Sequence, residues 1–208
     1  MGWSITGALL RGRHYLEAYL DTLSRNPPSA RWPPEAQLAY WINAYNAFTV
    51  KLIIDHYPLQ SIKDIGGGIA MVNSPWDIKF FKIGGIDFDL NTIEHKILRV
   101  KFDEARIHFA INCASISCPR LRREAYLADQ LEQQLEDQAR QFINDPGKNI
   151  ITKTEARLSP IFDWFRSDFT RGQSLPDFLQ KYTQQRLSPG LAIQYLEYDW
   201  ALNERRAN

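Results

Sequence analysis

The stretch PPEAQLAYWINAYNAFTVKLIIDHYP, residues 33 to 58, decides how the rest of the chain is read. Pro33-Pro34-Glu35 opens a helix, because a proline in the first turn gives up only a donor that would be unpaired there anyway. Pro58 stops it near His56 by pushing its predecessor out of helical geometry. Between them, apolar side chains occupy most of the circumference, from Leu38 and Trp41 to Leu52, Ile53 and Ile54. A helix of that kind needs cover on every side, so it is expected in the middle of the fold. Asn43, Asn46, Thr49 and Lys51 interrupt it, and no stretch approaches the ~18 to 20 uninterrupted apolar residues of a membrane span.

Upstream, Ala8 to Ser24 reads as an amphipathic helix, with Leu9, Leu10, Tyr15, Leu16, Tyr19, Leu20 and Leu23 near helical spacing, ended by Asn26-Pro27-Pro28. Downstream, residues 60 to 78 are loop-like. Lys79 to Ile83 and Ile86 to Leu90 flank Gly84-Gly85, the pattern of two strands on a two-residue turn. Asn91 followed by Glu94 resembles a capping box for a helix to about Val100. Arg106 to Asn112 alternates as a strand, with Ile107, Phe109 and Ile111 on one face and His108, Ala110 and Asn112 on the other. A polar loop, Ala114 to Ser117, leads to Pro119 and a long helix to about Asn144, ended by Asp145-Pro146-Gly147. A strand (Asn149 to Leu158), two short helices (about Ile161 to Asp168 and Leu175 to Thr183) and a final strand (Ala192 to Tyr198) follow. The expected architecture is α+β: a helix-rich single domain over residues 1 to 208 with a small, mainly antiparallel sheet.

The 208 residues are 44% hydrophobic and 24% charged, enough to bury a real core. Twenty-five basic residues face 24 acidic ones, without the basic excess of a nucleic-acid binder, so no nucleic-acid partner is expected. Arg120, Arg122 and Arg123 read as a solvated face. Met1-Gly2-Trp3-Ser4 begins no charged leader with a long apolar region. A leader absent from this chain would leave the same start, so a cytoplasmic and an exported location both stay open. Gly66-Gly67-Gly68 lacks the Lys-Ser/Thr ending of a phosphate loop, and no cofactor is expected.

The chemistry concentrates between His108 and Cys118. Pro119 would seat Cys118 at the opening of the long helix, where unpaired amides and the positive dipole end favour a thiolate nucleophile; the plain alternative is a packed thiol. Cys113 is a second thiol, a resolving partner or a buried side chain, and a bridge between the two would close only a very small loop. The Cys-x4-Cys spacing fits neither a redox motif nor a zinc knuckle, and no metal is expected. Among four histidines, His95 and His108 are the candidate bases. Glu94 would orient one of them or serve as the helix cap. Asn112 could hold an oxyanion. Asn43 and Asn46 either line the site or pin neighbouring backbone, because buried amides are costly unless bonded. Arg99 is a candidate substrate contact, with a structural role as its alternative.

Several segments resemble the domain of unknown function 547 family: Tyr40-Trp41-Ile42-Asn43-Ala44-Tyr45-Asn46-Ala47, Ser74-Pro75-Trp76-Asp77, Phe80-Phe81-Lys82-Ile83-Gly84-Gly85, Ile93-Glu94-His95, Leu98-Arg99, Arg106 to Ala110 through Cys113 and Ser117-Cys118-Pro119, and Tyr198-Asp199-Trp200 with Leu202-Asn203. They run in fixed order from about residue 36 to 203. The resemblance implies a shared site rather than a known reaction, and it covers both histidines. Members often carry export signals or stand beside other modules in plants. Two functions follow as expectations: a cysteine-dependent hydrolase or acyl transferase acting on a carbonyl compound, or a pocket that binds a small molecule or peptide without turnover.

Overall fold

A computed structural model describes residues 12–66 and 74–203. Helix α1 (Arg13–Arg25) turns Leu20 and Leu23 inward, and Tyr40 closes the contact by donating its hydroxyl to Leu23 O at 2.6 Å. The expected start at Ala8 lies outside the described residues, as do Gly67 and Gly68. Helix α2 (Pro34–Asp55) begins with proline in its first turn and buries all sides. Ile42 and Ala44 are wholly enclosed, so this helix is the axis of the larger core.

Strands β1 (Phe81–Ile83) and β2 (Ile86–Phe88) pair antiparallel with Ile83 opposite Ile86. Gly84 and Gly85 lie between them at φ 59° and 82°, a region L side chains rarely enter. Gly84 also hooks the turn to α1, its N–H donating to Ser24 O at 2.8 Å.

A π-helical turn, Thr92–Leu98, runs into α3 (Arg99–Lys101). The capping box expected from Asn91 and Glu94 is not there. Asp89 accepts the Thr92 N–H at 2.6 Å instead, the Asn91 amide donates to Asp77, and Glu94 turns into the interior.

Two further expectations are corrected. Arg106 to Asn112 is not a strand: Ile107–Ala110 forms one helical turn, α4. Ile107 and Ala110 enter the core around α2, while Phe109 enters a second core. Helical geometry lets neighbouring residues serve both sides. Nor does a long helix open at Pro119. Helix α5 is Leu131–Ile143, and residues 119 to 130 are held by side-chain amides: Gln138 donates to Arg120 O, and Gln134 bonds Ala125 O and Leu127 N.

The expected strand Asn149 to Leu158 is two, β3 (Ile150–Ile151) and β4 (Glu155–Leu158), paired antiparallel. Helix α6 (Ile161–Trp164) and α7 (Arg166–Phe169) replace one expected helix, with a break at Phe165. Helix α8 (Leu175–Gln180) carries a Ser174–Asp177 capping box. Strand β5 (Ala192–Tyr195) then joins β4 in parallel. The second core is rich in phenylalanine, with Phe109, Phe162 and Phe169 all at 0% exposure. Residues 198 to 203 then cross back as a strap. Ser117 N donates to Asp199 O, Ile116 N to Ala201 O and Asn203 N to Ala114 O, and Ser61 Oγ donates to Trp200 O. Among the described residues no helix is long and apolar enough to cross a membrane.

Candidate functional site

Where the two cores meet, a cavity of about 230 Å3 opens. The π-helical turn contributes Glu94 and His95, α4 contributes His108, and the following loop contributes Cys113 and Cys118. Its walls are largely aromatic, with Tyr45 from α2 and Trp164, Tyr198 and Trp200 from the C-terminal part. Thus five of the side chains singled out from sequence face one space.

Glu94 is buried, and Tyr45 donates its hydroxyl to Glu94 Oε2 at 3.2 Å. Burial pushes the carboxyl up to about 7, against the lowering pull of that hydroxyl and of Arg99. The group therefore exchanges a proton near neutral pH, the condition for an acid or base.

His108 Nε2 lies 2.8 Å from Asp168 Oδ2. An ionised carboxylate only accepts, so Nε2 carries the proton and Nδ1 is bare. Nδ1 has no hydrogen-bond partner among the described residues. Burial lowers the imidazole pKa, outweighing Asp168, and the ring is neutral near pH 7. Phe165 stacks on it at 3.9 Å. Asp168 is anchored in turn by Arg99, whose Nε donates at 2.6 Å. Burial works against the carboxylate, but the bonds from His108 and Arg99 prevail and hold its pKa well below the usual range. Arg99 also reaches His95 Nδ1 at 3.0 Å. A guanidinium only donates, so His95 accepts at Nδ1 and, like His108, carries its proton on Nε2. Burial, then Arg99, lowers the His95 pKa.

Cys113 and Cys118 are joined by a disulfide. This corrects the expected free thiolate, since a bridged sulfur carries no nucleophilic charge. The expected helix N-terminus is absent too, and two donors take its place: Cys113 N–H at 3.0 Å and the Tyr198 hydroxyl at 3.3 Å from Cys118 Sγ. Ser115 Oγ donates to that hydroxyl at 3.1 Å, and burial raises the Tyr198 pKa to about 12, keeping it protonated.

The asparagines stand apart from the cavity. Asn43 bonds both Tyr126 N and Tyr126 O. Asn46 donates to Ala110 O and accepts from Asn112 N. Asn112 is occupied as well, donating to Pro119 O and accepting from Ala114 N. All three pin backbone. Arg99 does not line the cavity but positions both histidines through its bonds. Asp168 escaped the sequence reading, because nothing local ties it to Arg99 and His108, 69 and 60 residues away. Tyr198 stood in a quoted segment without a role. No group of three or more His, Cys, Asp or Glu among the described residues is set to hold a metal ion.

Fold and site together define a helix-rich α+β protein with an aromatic cavity holding acid–base groups beside a disulfide. Within that class, residues 29–143 match the family described as "Protein of unknown function, DUF547", and the chain belongs to it. No curated protein and no solved structure matches it.

Proposed function

We propose that the cavity is the catalytic site of a hydrolase or acyl transferase acting on a small carbonyl substrate, active when the bridge is reduced. The observation that carries this reading is His108, tied to Asp168 by one nitrogen and bare at the other, on a cavity shared with Glu94 and Cys118. An anchored imidazole with a free lone pair is the base that a thiol nucleophile requires. Reduced Cys118 gives its proton to His108 Nδ1 and attacks the carbonyl carbon. The leaving group takes that proton and departs, leaving a thioester. Water, deprotonated by His108 or Glu94, releases the acid and restores the thiol; an alcohol or amine in its place gives acyl transfer. His95 Nε2–H is the donor for the oxyanion, because the Asn112 amide is occupied. Asp168 and Arg99 are positioning residues.

The test is hydrolysis of a panel of p-nitrophenyl esters and thioesters before and after treatment with dithiothreitol. Turnover appearing only on reduction, and lost in Cys118→Ala and His108→Ala, supports the reading. Equal rates for Cys118→Ala and the parent chain end it. The bridge itself favours a second reading, a binding cavity without turnover. That reading gains if small apolar carbonyl compounds quench tryptophan fluorescence saturably while the reduced chain turns none of them over.

A further inference from the structure

We propose that the Cys113–Cys118 bridge exchanges with a low-molecular-weight thiol entering the cavity, Cys113 being the sulfur attacked and Cys118 the thiolate released. The inference rests on the cavity assigned above and adds a second reactant to it.

The bridge is unsymmetrical. Cys113 is part-exposed, whereas Cys118 is 3% exposed. An incoming thiolate therefore meets Cys113 Sγ first. The Tyr198 hydroxyl lies against both sulfurs, 3.3 Å from Cys118 Sγ and 3.4 Å from Cys113 Sγ, but the sulfur that must accept the electron pair is the one that also receives a backbone donor, the Cys113 N–H at 3.0 Å. Hydrogen bonds to a developing thiolate make it the better leaving group. The loop also keeps its shape by other means. Asn112 accepts the Ala114 N–H, Ser115 pairs with Leu202, and the strap bonds residues 114, 116 and 117. A bridge five residues apart in sequence closes a small loop and adds correspondingly little to stability. Ala114, inside that loop, sits at φ 62°, a left-handed conformation that is unfavourable for an L residue and collects at functional sites.

In the first step RS⁻ attacks Cys113 Sγ, the S–S bond breaks, and its electron pair stays on Cys118 Sγ. The products are a mixed disulfide at Cys113 and the Cys118 thiolate; the proton of RSH has gone to solvent. A second RS⁻ attacks the R-side sulfur, forming RSSR and freeing Cys113. Two thiols are oxidised and one bridge is reduced. The released thiolate is the nucleophile proposed above.

The test uses the full chain and reduced glutathione. Samples are quenched in acid, trapped with N-ethylmaleimide and read by peptide mass. Glutathione is expected on Cys113 in at least ~10-fold excess over Cys118. After complete reduction, iodoacetamide labelling of Cys118 should titrate below the ordinary thiol value of ~8.5. Tyr198→Phe should raise that midpoint and slow exchange several-fold, and Ser115→Ala should do both more weakly. Label mainly on Cys118, exchange only after denaturation, or unchanged midpoints in both variants would overturn the proposal. No acyl substrate is present, so the two readings fail separately. A chain that resists glutathione but turns over esters after dithiothreitol loses only this inference, and one that exchanges without ester turnover loses only the other.

Discussion

On α2, Asn46 has both ends of its amide bonded to backbone. On the cavity wall, Glu94 and His108 are buried too, yet Glu94 has a tyrosine hydroxyl against it and His108 leaves Nδ1 without a partner among the described residues. The same class of side chain is used in opposite senses. Polar groups whose bonds are complete hold the chain in place, because removing them strands buried donors and acceptors. His108, whose bonds are incomplete, keeps a lone pair available for chemistry.

The harshest way to probe the first half of this contrast is Asn46→Ala. It orphans Ala110 O and Asn112 N together, and at ~1 to 3 kcal/mol for each the expected loss by urea denaturation is about 4 kcal/mol. A loss under about 1 kcal/mol would erase the contrast.

Glu94→Gln probes the other half through pH. The folded chain keeps the Glu94 proton to about pH 7, against an ordinary value of 4.5. Between those values the folded state binds more protons than the unfolded state, so this group makes stability fall as pH rises, by about 3 kcal/mol in all. Above pH 7 the contribution is constant. Glutamine lacks that slope, so the variant should gain on the parent from pH 4.5 to 7 and then run parallel to it. A difference that stays flat across this range would mean the carboxylate is already charged in the fold.

The smallest effect is expected where the two regions touch. Tyr45 belongs to α2 but gives its hydroxyl to Glu94. Tyr45→Phe should cost about 1 kcal/mol and move the Glu94 midpoint above 7, read by NMR titration of the carboxyl carbon. A downward move would show that the hydroxyl does not stabilise the charged form.

The contrast also explains what could be read in advance. Helix α2 was plain from its proline start and its apolar circumference, and Lys79 to Leu90 showed the strands β1 and β2. Residues 107 to 110 misled because all four are buried, so their alternation carried no face information. The segment after Pro119 reads as helix from its sequence, but side-chain amides hold its backbone instead, from Gln134 and Gln138 further along and from Asn43, 83 residues distant from Tyr126. Glu94, His95, His108 and both cysteines were found by chemical type. Asp168 was not, since an aspartate becomes an anchor only through partners brought together by folding.

The strap from Tyr198 to Asn203 gives the protein a timetable. It crosses the cysteine loop and supplies the Tyr198 donor, yet it leaves the ribosome after every other described part of the molecule. A nascent chain can bury α1 and α2 against each other while both sulfurs are still uncovered and the cavity has no far wall. A chain stopped short of residue 198 would lack the Tyr198 and Trp200 side of the cavity while every named helix and strand kept its full sequence, a lesion that a secondary-structure spectrum would hardly register.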